Sequence, residues 1–334
     1  MFLTIIAAII VFGILVSLHE LGHMAAAKSV GIRVNQFALG MGPPIFKKKK
    51  GETEYSIRLF PLGGYVKLEG EDEDSSDERS FNNKSIPARI FVLASGSLMN
   101  LIFAIVILIF LVFMMGFPVN EIEEVIPGNP AEMAGLQKGD VILEIEGQPI
   151  DSWQDVLNAI GKTTKDEIQI TIERNNEIQS FTSKVNTDEN GKRSIGVAAH
   201  LEHSLFKSIS EGFKLAFAMI GLMLEFIIGL FRGQSSTADV VGPVGVFHLV
   251  GEAARMGLVS VISFTAMISM NLGIVNLLPF PALDGGRLII LIAQGITGKR
   301  IDPDKEGYIH FIGFVILIGL TLLVTFRDIE RFIL

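Results

Sequence analysis

The 334-residue chain has no cysteine, which excludes disulfides, thiolate metal sites and cysteine nucleophiles and leaves the redox compartment open. Any bound metal must be held by nitrogen and oxygen. Charge is also sparse: 19% of residues are Asp, Glu, Lys or Arg against 49% hydrophobic, and the mean hydropathy is +0.48. That balance is too apolar for an ordinary soluble enzyme and fits several bilayer spans with one soluble module. The 28 basic and 36 acidic residues leave a net charge of −8, so no nucleic-acid surface is implied and nucleic acid is not an expected partner. Lys and Arg are missing altogether from residues 1–27, which bears on orientation.

What the chain has in place of charge is long apolar runs. Residues 2–18 are interrupted only by Thr4 and Ser17, and at about 1.5 Å per residue they nearly cross a ~30 Å hydrocarbon core. A signal peptide is the competing reading. The run has no basic leader and continues into His19, Glu20 and His23 instead of a small-residue cleavage site, which favours a permanent helix. Residues 28–89 carry Lys28, Arg33, Lys47 to Lys50, Lys84 and Arg89, so the positive-inside rule places this loop in the cytoplasm and the N-terminus outside. Further spans are expected at 90–117, 257–281 and 308–326. The segment 205–231 is apolar but contains Lys207, Glu211, Lys214 and Glu225, and is expected to lie along or only partly enter the membrane. Parity supports this, because a further crossing would bring Asp284 to the face opposite His19 and His23.

Between the spans, residues 51–70 (GETEYSIRLFPLGGYVKLEG) alternate around Gly63-Gly64 and read as two strands joined by a glycine turn. The acidic stretch 69–78 has nothing to bury and reads as a solvated linker. Residues 127–150 contain Gly135, Leu136, Gly139 and Asp140 in a GLxxGD arrangement before a strand, which resembles the PDZ domain of membrane and periplasmic proteases. The expected fold is an α-helical polytopic membrane protein with about four transmembrane helices, a membrane-associated β-hairpin and one inserted extracytoplasmic PDZ domain. Its parts are a first membrane core part at 1–117, the PDZ domain at 118–200, a membrane-associated amphipathic helix and linker at 201–256, and a second core part at 257–334.

The chemistry concentrates in His19-Glu20-Leu21-Gly22-His23, an H-E-x-x-H pattern. On a helix the i, i+4 spacing stacks both imidazoles on one face within reach of one tetrahedral zinc. At the end of an apolar helix such a cluster carries a desolvation cost that needs a reason. Zinc supplies one: Glu20 can take a proton from a water whose pKa the metal lowers, and pass it to the leaving amine. A third protein ligand is then required. Asp284 fits best, after the helix-breaking Pro279 and Pro281 and before Gly285-Gly286, which permit close backbone approach. An Asp capping a turn at a helix end is the alternative on local sequence. His248 and His310 are weaker candidates, and His200 and His203 read as a solvated surface pair.

HELGH at 19–23, GGYVK at 63–67, one PDZ domain, GPVG at 242–245 and NLLPFPALDGG at 276–286 together resemble the site-2 protease family of M50-type intramembrane zinc metalloproteases, in order and over essentially the whole chain. Within it the likeness is to bacterial regulators of sigma-factor signalling, of the regulator of sigma E protease kind. The single PDZ departs from members with a tandem pair. The resemblance implies Zn2+ on His19, His23 and Asp284 with Glu20 as base. It also implies substrate binding by a membrane-reentrant hairpin at Gly63, Gly64, Tyr65 and Val66 and by Asn276 and Pro279. The implied substrates are single-pass membrane proteins such as anti-sigma factors or remnant signal peptides, cut in the lipid bilayer of the cell membrane toward its cytoplasmic side, with the PDZ domain outside. A membrane PDZ adaptor with a vestigial metal site and a metal transporter are the rival classes, and neither needs Glu20 as a proton shuttle.

Overall fold

The computed structural model describes every residue except Met1, 72–74, 189–190, 235, 237–239, 299–301 and 333–334. In chain order, α1 (Phe2–Ser29), β1 (Val34–Lys50), β2 (Thr53–Leu68) and α2 (Ile86–Met115) precede β3 (Phe117–Val125), α3 (Pro130–Ala134), β4 (Val141–Ile145) and β5 (Gln148–Pro149). Then come α4 (Trp153–Lys162), β6 (Glu167–Arg174), β7 (Glu177–Lys184), β8 (Asn186–Thr187), β9 (Arg193–Ser194) and β10 (Val197–Glu202). The chain closes with α5 (Leu205–Phe231), α6 (Pro243–Met256), α7 (Leu258–Asn276), α8 (Asp284–Thr297) and α9 (Pro303–Phe332). Two compact units result: residues 1–108 with 213–334, and residues 109–212.

In the first unit α1, α2, α7 and α9 are long and apolar enough to cross a membrane, and so is α5. Large apolar side chains such as Ile10, Ile102, Leu222, Phe311 and Leu322 stay exposed on these helices, as expected where the surrounding medium is lipid. α7 ends at Asn276, five residues short of the expected third span, and the chain restarts as α8 at Asp284. Pro279 and Pro281 lie in the interval, where a missing N–H prevents helix continuation. On α5, Ala216, Met219, Ile220, Met223 and Ile227 cluster with Ala104 and Leu108 of α2 and with Ala266, Met270 and Ile274 of α7. Their i, i+3, i+4 spacing gives α5 one inner stripe.

GPVG is explained by α6. The backbone N–H groups of Gly242 and Gly245 donate to Asp328 of α9, at 3.1 Å to Oδ1 and 2.8 Å to Oδ2, so a carboxylate from another helix caps the α6 N-terminus. A Cβ at Gly251 would lie 2.6 Å from Thr4 Cγ2 near the start of α1. The beginning of α1, the end of α9 and α6 therefore share one end of the helix bundle.

The strands around Gly63-Gly64 depart from the expected hairpin, since they do not pair with each other. Residues 36–39 of β1 lie between them: Phe37 pairs with Val66 and Tyr55, Ala38 with Tyr65 and Ser56, and Leu39 with Gly64 and Ile57. The far half of β1 pairs with the start of β2 from Phe46↔Ile57 to Lys50↔Thr53. The strand nature of 34–50 was hidden by Gly40, Gly42, Pro43, Pro44 and four lysines, residues that a sheet tolerates only at irregular or edge positions.

The second unit is a PDZ-type module with sheet order β10-β3-β4-β6-β7. Ile122, Leu136, Ile142, Ile145, Val156, Ile168, Ile170 and Ile172 are buried in its core. The GLxxGD pattern has a local cause. Gly135 and Gly139 take φ of 88° and 87°, which suits glycine, and Leu136 enters the core. Asp140 is fully buried and accepts from Arg174 Nε at 2.6 Å and Nη2 at 2.7 Å, with a third bond from the Gln137 N–H at 2.8 Å.

Candidate metal centre

His19 and His23 lie one turn apart on α1, each about nine-tenths buried, with their Nε2 atoms 3.2 Å apart. Asp284 is the first residue of α8, and its Oδ2 stands 3.2 Å from His19 Nε2 and 3.4 Å from His23 Nε2. Among the described residues these three form the group of His, Asp or Glu side chains close enough to share a metal ion.

Their hydrogen bonding tests whether a cation fits. His23 Nδ1 lies 2.9 Å from the Val92 carbonyl oxygen, which can only accept, so Nδ1 carries the proton and Nε2 of the neutral ring presents a lone pair. His19 Nδ1 faces the Asn100 amide at 3.5 Å, while Asn100 Oδ1 is buried without a partner. With that amide turned over, Oδ1 accepts from an Nδ1–H, the arrangement that leaves Nε2 of His19 bare as well. Asp284 Oδ2 is itself buried without a hydrogen-bond donor. Three lone-pair atoms face one another, an unfavourable arrangement without a cation between them. Their separations match the edge of about 3.3 Å for a tetrahedron with metal–ligand bonds of about 2.05 Å. The donor set suits zinc, with Val92 and Asn100 orienting the rings.

Small residues bring the elements together. A Cβ at Gly22 would lie 2.3 Å from the Ser95 carbonyl oxygen, and one at Gly96 would lie 2.2 Å from His23 Nε2. At Gly285 it would meet the Leu278 and Leu277 carbonyls at 2.2 and 2.3 Å, and at Gly286 that of Phe280 at 2.4 Å. The GG after Asp284 thus folds the start of α8 under its own preceding loop. Gly64 lets the sheet approach α1, since a Cβ there would lie 3.3 Å from Glu20 Cγ. Val66, two residues further along β2, pairs with Phe37 of β1.

The residue-typed pattern of peptidase family M50 matches residues 7–320. The chain belongs to this family. A zinc metalloprotease of Clostridium perfringens is 37% identical over 328 residues, 97% of this chain and 98% of that protein. The regulator of sigma-W protease RasP of Bacillus subtilis is 32% identical over 418 aligned positions, with 99% of each chain covered. A solved PDZ domain of an SdrC-like protein from Listeria innocua is 31% identical, covering 26% of this chain and 97% of that one, with a TM-score of 0.22. This M50 peptidase is a multi-pass membrane protein and a zinc metalloprotease.

The other expected site residues lie in β2, at the end of α7 and in the loop before Asp284. Gly63 and Gly64 form the bend in β2, and the Tyr65 hydroxyl is engaged with Gln36 Oε1 at 2.8 Å and with Arg58. Asn276 is the last residue of α7, and Pro279 is exposed in the loop before Asp284. Sequence reasoning passed over Gly96 and Asn100 of α2, four residues apart on a stretch read only as a further span. It also set aside His310 of α9, whose Nδ1 accepts the Ala282 N–H at 3.0 Å.

Proposed function

We propose that His19, His23 and Asp284 hold the zinc, that Glu20 is the catalytic base, and that the enzyme performs regulated intramembrane proteolysis of single-pass membrane proteins. The observation that carries this reading is the convergence of three lone-pair atoms from α1 and α8 at 3.2 to 3.4 Å, next to a carboxylate one residue along α1. Zinc held there would supply the Lewis acidity that activates a water near neutral pH. Glu20 would take the attacking water's proton and return it to the leaving amine nitrogen. A helical substrate hides its carbonyls in i to i−4 bonds and must be unwound into a strand before attack. Residues 64–66 lie beside Glu20 and offer an edge for such a strand, with Asn276 and Pro279 bordering the loop that leads to Asp284.

Anti-sigma factors already trimmed outside and remnant signal peptides are the proposed substrates, a reading supported by a relative named for sigma-W regulation. The basic loop 28–89 supports a metal centre toward the cytoplasmic side of the cell membrane with the PDZ module outside. The contacts of α6 with the start of α1 and the end of α9 support a topology with both termini outside and no net crossing by α5. The deciding experiment incubates the purified enzyme with a single-pass model substrate. Glu20→Gln should keep its zinc and lose cleavage by about 10²- to 10⁴-fold; equal cleavage by both proteins removes the assignment of Glu20.

A further inference from the structure

Asp284 reaches the two histidines only because the chain turns sharply just before it. Within that turn Ala282 takes φ of 80°, a left-handed conformation that L-residues other than glycine adopt at a cost and that persists only where surroundings hold it. The other positive-φ non-glycine residues described are Glu146, Asn175 and Asn176, all in turns of the PDZ module. Ala282 has no polar side chain to ease the conformation. The bend is closed by its own bond from the Leu283 N–H to the Phe280 carbonyl at 3.1 Å, and α9 adds a hold from outside: the Ala282 N–H donates to His310 Nδ1 at 3.0 Å. One turn further on, Pro281 rests on Gly313, where a Cβ would lie 2.4 Å from Pro281 Cβ.

Close packing does not do this alone. A cavity of about 380 Å³ opens on the same side of the turn, lined by residues 282–284 with Arg287, His310, Phe311 and Phe314. With space beside it, the His310 bond is what ties the Ala282 backbone to α9. An accepting Nδ1 requires the proton on Nε2, and His310 Nε2 is buried without a hydrogen-bond partner, with Glu306 Oε1 at 4.0 Å. A buried nitrogen without a partner calls for an explanation, and the bond made by the ring's other nitrogen supplies one.

We propose that His310 is a positioning residue: its Nδ1 holds the Pro281–Ala282 bend in its left-handed form and so sets the Asp284 carboxylate against His19 and His23. This rests on the reading of Asp284 as a zinc ligand. α9 is then part of the metal centre's support as well as a membrane helix.

The test measures zinc affinity by chelator competition on the full-length enzyme in detergent, with thermal unfolding as a second readout. His310→Phe should weaken zinc ten- to a hundred-fold, the range for loss of an outer-sphere support. His310→Asn, whose Oδ1 can accept the same N–H, should recover most of that loss. Ala282→Gly in the His310→Phe background should also recover it, because glycine takes this φ without a holding bond. Zinc affinity of His310→Phe within twofold of wild type overturns the proposal, as does equal loss in His310→Asn or no recovery with Ala282→Gly. If His310→Phe does not fold, folding and zinc retention by the double variant support the proposal, and failure of the double variant overturns it. Asp284→Ala separates the two readings: if it keeps zinc, the ligand assignment fails; if it loses zinc while His310→Phe does not, only the positioning role fails.

Discussion

Gly96→Ala adds one methyl group where the structure leaves no room for it. The new Cβ would sit 2.2 Å from His23 Nε2 and 2.7 Å from both Cδ2 and Cε1, whereas non-bonded heavy atoms settle at about 3.5 Å. The imidazole and α2 must separate by roughly 1.3 Å to restore that contact. Neither partner has an easy retreat. His23 Nδ1 is tied to the Val92 carbonyl on α2 itself, and α1 is seated against α2 at Gly22, where a Cβ would already lie 2.3 Å from Ser95 O. The displacement therefore falls on Nε2, the atom aimed at Asp284 and His19. A shift of about 1 Å in a catalytic group costs on the order of 100-fold in rate, and zinc affinity should drop by a similar factor.

The same substitution elsewhere supplies the control. A Cβ at Gly295 in α8 meets Ile86 at 3.5 and 3.7 Å, an ordinary contact, and one at Gly221 in α5 meets nothing within 4 Å. Alanine at either position should keep zinc and activity and stabilise the helix by about 0.5 to 1 kcal/mol. The assay is zinc per chain after a chelator challenge, with single-turnover cleavage of a model substrate. Gly96→Ala that retains zinc and cleaves within twofold of wild type refutes the argument.

Other perturbations separate the remaining parts. Asp140→Asn strips the charge from the buried partner of Arg174 and should destabilise the PDZ module by about 3 kcal/mol, read as faster proteolysis or hydrogen exchange within 109–212 with zinc content unchanged. Asp328→Ala leaves the Gly242 and Gly245 N–H groups without acceptors and should cost about 1 to 3 kcal/mol for each buried donor, seen as a lower unfolding temperature in detergent; an unchanged midpoint would show the cap to be dispensable. Val66→Pro removes one backbone N–H from the strand proposed to pair with substrate, so turnover should fall while zinc stays; normal turnover would mean that another element holds the substrate. Since the chain has no native cysteine, single cysteines at Ser235, at Lys299 and near the C-terminus can report sidedness, although Ser235 and Lys299 lie outside the described residues. An impermeant thiol reagent on intact cells should label the first and third but not Lys299, and the reverse pattern for Ser235 and Lys299 would overturn the proposed topology.

What could be read from sequence divides along a physical line. His19 and His23 were legible because helical periodicity alone puts i and i+4 on one face, and the PDZ module because its turn glycines and buried Asp140 recur as a short local pattern. Asp284 was legible as a candidate because prolines and glycines mark a break in an apolar run, but its approach to the histidines is a long-range fact. α8 was missed because its start is the ligand itself, with no Ser, Thr or Asn ahead of it to signal a cap: the residue before Asp284 is Leu283. The strand at 34–50 was missed because Gly and Pro are read as breakers, whereas here Gly40 and Gly42, at φ of 85° and 87°, bend one long strand so that it pairs twice. Gly96, Asn100 and His310 are silent for a common reason. Each acts on a neighbour far away in the chain, Gly96 and Asn100 by lying against His23 and His19, and His310 by accepting one backbone N–H. Local periodicity carries no trace of that, and within an apolar span a small or polar residue has many uses. The reading of such residues becomes decisive only when the facing atom is known: at Gly96 it is a ligand nitrogen 2.2 Å from where a side chain would begin, so the absence of a side chain is itself a part of the metal centre.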